Sequence, residues 1–271
     1  MRTTTLCFDY EMQIRYLEKT FGGAFTLRLL PQDTGPQKVL FVKEEISPDC
    51  GIWHGKDAFG NVLTCGNLPV GADHLTSHVF GEVLVGLSEG EKAGSDADAF
   101  CYTFSKSPLT QPGEGIADLE EKAAKLADFQ NPDSSVTRRA MVLCHLVHEA
   151  LTYEKGRTGI HTSAEEALSY HAGVCEDYSH VLIALCRHFH LTARYVTGYL
   201  VGEGESHAWV EVKDRDLWVP LDPTNDCRIT TQAVRVGVGR DASDCPMNRG
   251  IHFGKAGQEM SVHVDVKEKE V

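Results

Sequence analysis

The sequence predicts an α+β protein, and three observations carry that expectation. Up to about residue 105 the apolar residues alternate or gather in short β-branched runs. From Leu119 to about His190 they recur at helical spacing, and beyond that short alternating runs return. With 271 residues, 42% of them hydrophobic, the chain can hold one large or two modest domains. The expected division is an N-terminal β-rich domain over 1–105 and a helix-and-sheet core over 106–271.

In the first segment AFTLRLL, QKVLFVKEEI and NVLTCGNL read as strands, punctuated by turn signals at Pro31, Gly35, Pro36, Pro48 and Gly51. An antiparallel β-sandwich or open barrel is the expected form. His54, Asp57, His74 and His78 lie here without a metal-ligand constellation and are taken as ordinary surface or core residues. Glycine, serine, aspartate and proline accumulate between Ser88 and Gly115, which places the boundary there with KSPLTQPGEG as the linker.

Leu119, Ala123, Leu126 and Ala127 then mark one helix, and Val136, Ala140, Leu143, Val147 and Leu151 a second, separated by Asn131, Pro132 and Asp133. Ser163 and Glu166 form a capping box for a short helix to about Tyr170. Cys175 follows Gly173 where a loop becomes a helix, and Tyr178, Val181, Leu182, Leu185, Cys186 and Phe189 form its apolar stripe. The thiol therefore sits in the first turn, where free N–H groups and the helix dipole favour a thiolate.

RYVTGYLV is a strand, and GEGES a loop delivering His207 at the start of HAWVEV. LWVPLD follows, ending in Asp222, so the two runs read as a hairpin. A turn centred between Asp214 and Arg215 sets Val212 opposite Leu217, Glu211 opposite Trp218, and His207 opposite Asp222, within reach of a carboxylate orienting an imidazole. AVRVGVG and MSVHVDV are expected to close the same sheet.

These placements suggest that Cys175 attacks a carbonyl, His207 moves the proton and Asp222 orients the ring. The Cys175 N–H would be half of an oxyanion hole. Tyr153 and Trp209 are the candidates for cleft lining or the second oxyanion donor, although core packing is the default for Trp209. His180 points away from the nucleophile, and His188 and His190 end a helix without a third metal ligand. His161 and His171 flank the capped helix near the loop before Cys175 and are weaker candidates for the cleft wall.

GVCEDYSH, SHAWVEV and WVPLDPTN resemble the Cys, His and Asp segments of the bacterial transglutaminase-like cysteine protease family, part of the papain-like superfamily in which this order of the triad occurs. TLRLLPQDTGPQ and KDAFGN resemble that family's N-terminal β-rich domain, and GRDASDCPMNRG with the final strand its C-terminal end. The resemblance implies a papain-like core, helices packed on an antiparallel sheet with the nucleophile at a helix N-terminus, and a Cys-His-Asp site. It leaves open a peptidase or amidase, an acyltransferase to an amine of the transglutaminase type, or a non-catalytic peptide-binding domain.

Acidic residues outnumber basic ones 39 to 26, giving a net charge of -13 without a Lys/Arg cluster. Nucleic acid and anionic membrane are therefore not expected partners, whereas a peptide or protein amide is. Nine cysteines without a C-x-x-C pair fit reduced thiols. With no apolar leader in MRTTTLCFDYEMQIRY, a cytoplasmic protein without a cofactor is expected.

Overall fold

The computed structural model describes residues 3–87, 100–103 and 107–269. Six strands come first: β1 (Thr4–Tyr16), β2 (Phe21–Leu27), β3 (Gln37–Ser47), β4 (Trp53–Lys56), β5 (Val62–Val70) and β6 (His74–Val85). Helices α1 (Glu114–Ala124), α2 (Ala127–Gln130) and α3 (Val136–Ala150) follow, then β7 (Thr152–Tyr153), α4 (Ala164–Tyr170), β8 (Ala172–Gly173) and α5 (Cys175–His188). The chain finishes with β9 (Ala193–Leu200), β10 (Gly202–Gly204), β11 (His207–Asp214), β12 (Leu217–Asp222), β13 (Cys227–Arg228), β14 (Ala233–Gly239), β15 (Asn248–His252) and β16 (Gln258–Glu268).

The α+β class holds, with sheets that are mostly antiparallel. One five-stranded sheet has the order β10-β16-β1-β6-β3, and a four-stranded sheet the order β15-β2-β5-β4. Alternation builds their shared core: Leu6, Phe8, Tyr10, Met12 and Ile14 of β1 all point inward, against Phe25, Leu27 and Leu68 of the second sheet. The core sheet has the order β13-β12-β11-β9-β14 and carries α3 and α5 on one face.

The last strand departs from the sequence reading. MSVHVDV lies in β16, which pairs along its length with β1 rather than closing the core sheet, and β15 pairs with β2. The segments 1–105 and 106–271 are thus interleaved by strand exchange. Much of the stretch from Ser88 in which the boundary is expected lies outside the described residues. Its later part, the proposed KSPLTQPGEG linker, is anchored: Pro108–Thr110 forms a 3-10 turn with Leu109 and Thr110 buried, and the Arg187 guanidinium donates to Thr110 Oγ1 at 2.8 Å.

Two side-chain amides join the N-terminal strands to the core sheet. Gln37 accepts from Arg235 N–H at 2.8 Å and donates to Arg235 C=O at 2.9 Å. Asn61 does the same for Val238, at 2.8 and 2.7 Å. Both are buried, and together they satisfy backbone groups on the outer side of β14.

Helix α5 is the centre of the core. Instead of one apolar stripe, every residue from Asp177 to Arg187 is buried, because α1, α3 and α4, the sheet and the 3-10 turn surround it. The Ser163 capping box forms as expected, with Glu166 Oε2 accepting from Ser163 N–H at 2.8 Å. Glu165 on the same turn caps a different helix: its carboxylate accepts from the Gly113, Gly115 and Ile116 N–H groups at the start of α1. The first helical stripe is shorter than expected, since α1 stops at Ala124 and Ala127 begins α2.

Gly198 of β9 lies opposite His207 and leaves room for the Trp209 ring. A Cβ there would meet Val234 C=O at 2.1 Å and Trp209 Cη2 at 2.7 Å. Gly198→Ala should therefore push β14 and the indole away and destabilise the protein by about 2–3 kcal/mol. A urea midpoint unchanged from the parent would refute that packing.

Candidate active site

Cys175 opens α5, and the preceding backbone is arranged to put it there. Asp177 reaches back to accept from Val174 N–H at 2.7 Å and is fixed by the Thr158 hydroxyl at 2.6 Å. Gly173 permits this close turn, since a Cβ on it would lie 2.6 Å from that of Asp177. Being in the first turn, Cys175 N–H has no intrahelical acceptor. The thiol is partly exposed.

His207 begins β11, and its Nε2 lies 2.9 Å from Asp222 Oδ2 at the end of β12. The pair forms by a different route from that expected. The hairpin turn is Arg215–Asp216, with Arg215 in the left-handed region at φ 56, so Asp214 pairs with Leu217, Lys213 with Trp218 and Glu211 with Pro220. This register is shifted by two residues from the sequence reading, and the backbone ladder ends at Val210 and Leu221. A two-residue shift preserves the face on which each side chain lies, so His207 reaches Asp222 diagonally, over about 7–8 Å between Cα atoms.

Asp222 is almost wholly buried and accepts from three further groups: Thr224 N–H at 2.9 Å, Asn225 N–H at 3.2 Å and Asn225 Nδ2 at 2.7 Å. Burial pulls its pKa upward, but the His207 and Asn225 contacts outweigh burial and hold it below the ordinary carboxylate value. Burial alone would likewise drive His207 down. Hydrogen bonds and charge interactions with Asp222 and Cys175 reverse this and push the ring up to about 9. With Nε2 committed to Asp222, Nδ1 is the nitrogen left to meet the thiol. The structure thus brings Cys175, His207 and Asp222 together.

A cleft of about 1400 Å³ runs over Cys175 and His207. One wall comes from the core; the other includes Tyr10 of β1, Met247–Gly250 around the start of β15, and Met260, Val262 and Val264 of β16. Tyr153 also lines it. The short parallel pairing of β7 with β8 sets Tyr153 beside Gly173, two residues before the thiol. Burial, and then Cys175, raise the Tyr153 pKa, so the phenol keeps its proton and remains a donor. His161 lines the cleft, whereas His171 is the left-handed C-cap of α4.

Trp209, the other cleft candidate, lies elsewhere. It packs with Val196, Ile229 and Val238 over Gly198 and is 2% exposed, because the glycine offers a space that the cleft does not. His180 is buried within α5, accepts from Ala242 N–H at 3.2 Å and is pushed down to about 4 by burial, which leaves it neutral. Glu176, a residue that sequence reasoning did not single out, lines the cleft next to Cys175. A position facing the cleft from a first helical turn was the signal that could have marked it.

Known proteins resemble this chain in sequence and in fold. The model of the transglutaminase-like superfamily matches residues 123–223, the span that contains all three groups. An uncharacterized protein of Mycobacterium leprae, ML0607, is 30% identical over 260 residues, covering 88% of this chain and 90% of its own. The chain belongs to the transglutaminase-like superfamily. An uncharacterized Mycobacterium tuberculosis protein, Rv2569c, is 36% identical over 141 residues, 46% of this chain and 45% of that one. Among solved structures, that of a candidate cysteine protease from Cytophaga hutchinsonii matches with a TM-score of 0.79 at 20% identity, covering 100% of this chain and 92% of that one. The likeness of this superfamily member to that structure is one of fold over the whole chain, β-rich segment included.

Proposed function

We propose that this transglutaminase-like protein is a cysteine peptidase or amidase working through a thioester. The observation that carries the reading is the His207 ring, fixed through Nε2 by a buried Asp222 with its other nitrogen toward the Cys175 thiol. Cys175 gives its proton to His207 and its sulfur forms a bond to the substrate carbonyl carbon. As the C–N bond breaks, His207 returns the proton to the leaving amine. Water then adds to the thioester carbon, passes a proton to His207, and the C–S bond breaks to release the acid. Cys175 N–H and the Tyr153 hydroxyl are the donors assigned to the oxyanion.

The openness of the site favours water as the second nucleophile, since Cys175 is partly exposed in a wide cleft. Transfer to an amine would use the same thioester. The deciding experiment incubates the protein with a peptide-amide library in H₂¹⁸O, with and without a fluorescent primary amine. Label in a new carboxylate, lost in Cys175→Ala, supports hydrolysis. Amine incorporation without hydrolysis would establish the acyltransferase, and neither product would leave peptide binding as the reading.

A further inference from the structure

Glu176 follows Cys175 on α5 and lines the same cleft. Unlike Asp177, whose carboxylate is taken up by Val174 and Thr158, it has no hydrogen bond or ion pair among the described residues. The groups that interact with it supply no cation. Asp177 comes from its own helix, Asp241 from the loop after β14, and the Tyr195 hydroxyl from β9. Ser107–Leu109 and Ala242–Ser243, which carry no charge, line the same cleft.

The cations of the cleft are engaged elsewhere. The His207 ring is held by Asp222 at 2.9 Å, Lys155 pairs with Glu205 at 3.1 Å, and Arg249 donates to Ser243 C=O at 3.4 Å. Deeper on α5, the Arg187 guanidinium donates to Tyr102 C=O, Thr110 Oγ1 and Arg240 C=O. A partly desolvated carboxyl with acidic neighbours and no counter-ion is costly to ionise, and a cation arriving from outside removes that cost.

We propose that Glu176 is a specificity residue that receives an ammonium or guanidinium group of the substrate, one that does not itself react, beside the scissile carbonyl. The assignment rests on Cys175 as the nucleophile and adds the chemical class of substrate. Burial, then Asp177 and Asp241, push Glu176 up to about 7, so in the empty site it is partly protonated near neutrality. A bound cation draws it to the carboxylate.

The test compares two methanethiosulfonates, one with a trimethylammonium-ethyl group and one neutral, reacting with Cys175 as located by peptide mass spectrometry. The ratio of the two rates cancels the reactivity of the thiol itself. At pH 8 the cation-to-neutral ratio should be about tenfold higher in the parent than in Glu176→Gln. Between pH 8 and pH 6 it should fall severalfold in the parent but not in the variant. Equal ratios in the two proteins overturn the proposal, as does a parent ratio that is flat with pH, a measurement that stands even if the variant folds poorly. So does a ratio that collapses in Glu205→Gln instead. Failure of the nucleophile reading shows separately, as neutral-reagent labelling of Cys175 no faster than that of exposed Cys227.

Discussion

His207→Ala should slow alkylation of Cys175 by iodoacetamide at pH 6 by about a hundredfold or more. In the parent the imidazolium persists to about pH 9, since Asp222 and Cys175 together overcome the effect of burial on the ring. A positive ring beside the sulfur stabilises the negative charge carried in the attack on the reagent, and the variant loses that charge. The same ring must protonate the leaving amine, so amide turnover should decline above about pH 9 as that acid disappears. In Asp222→Asn the decline should move to lower pH, because the carboxylate is one of the two groups that hold the proton on His207. An alkaline limb that stays in place in this variant would remove Asp222 from the mechanism.

Asp222→Ala should cost about 3 kcal/mol of stability at pH 6, besides most of the activity. It leaves Thr224 N–H, Asn225 N–H, the Asn225 amide and His207 Nε2 without their acceptor in a partly buried place. The pH dependence follows from the two shifts. Asp222 is held below its ordinary 3.8, so its share is present above that value and is lost as pH falls through the folded pKa. His207 is raised from 6.5 to about 9, so its share is full below 6.5 and gone once pH has risen through about 9. The difference in unfolding free energy between parent and variant should therefore be larger at pH 6 than at pH 10. A difference that grew with pH would contradict the pairing.

The three groups were legible in the sequence because each sits in a short segment with its own local signal: a glycine-preceded helix start, an alternating strand, and a strand ending in Asp-Pro. The hairpin register was not, since Asp214, Arg215 and Asp216 can all occupy a turn and the fold places Arg215 in the left-handed region. The error was harmless because it was even, leaving His207 and Asp222 on one face. The destination of β16 was hidden for another reason. Alternation in MSVHVDV says that the segment is a strand and which face is apolar, but its partner β1 lies some 250 residues away in sequence. The placements of Trp209 and Glu176 were equally non-local, set by Gly198 on a neighbouring strand and by what approaches α5 from other elements.

The Gln37 and Asn61 amides bear on how the molecule avoids sticking to copies of itself. A bare outer strand on a sheet is a template on which another chain can add its own backbone. Here β14 is occupied by two side chains that imitate a strand's donors and acceptors without continuing the ladder. Growth of the sheet is thereby terminated at no cost in chain length. A core freed of its first hundred residues would lose this stop together with the strands that hold β15 and β16 at the cleft, so solubility and substrate access depend on the same β-rich segment.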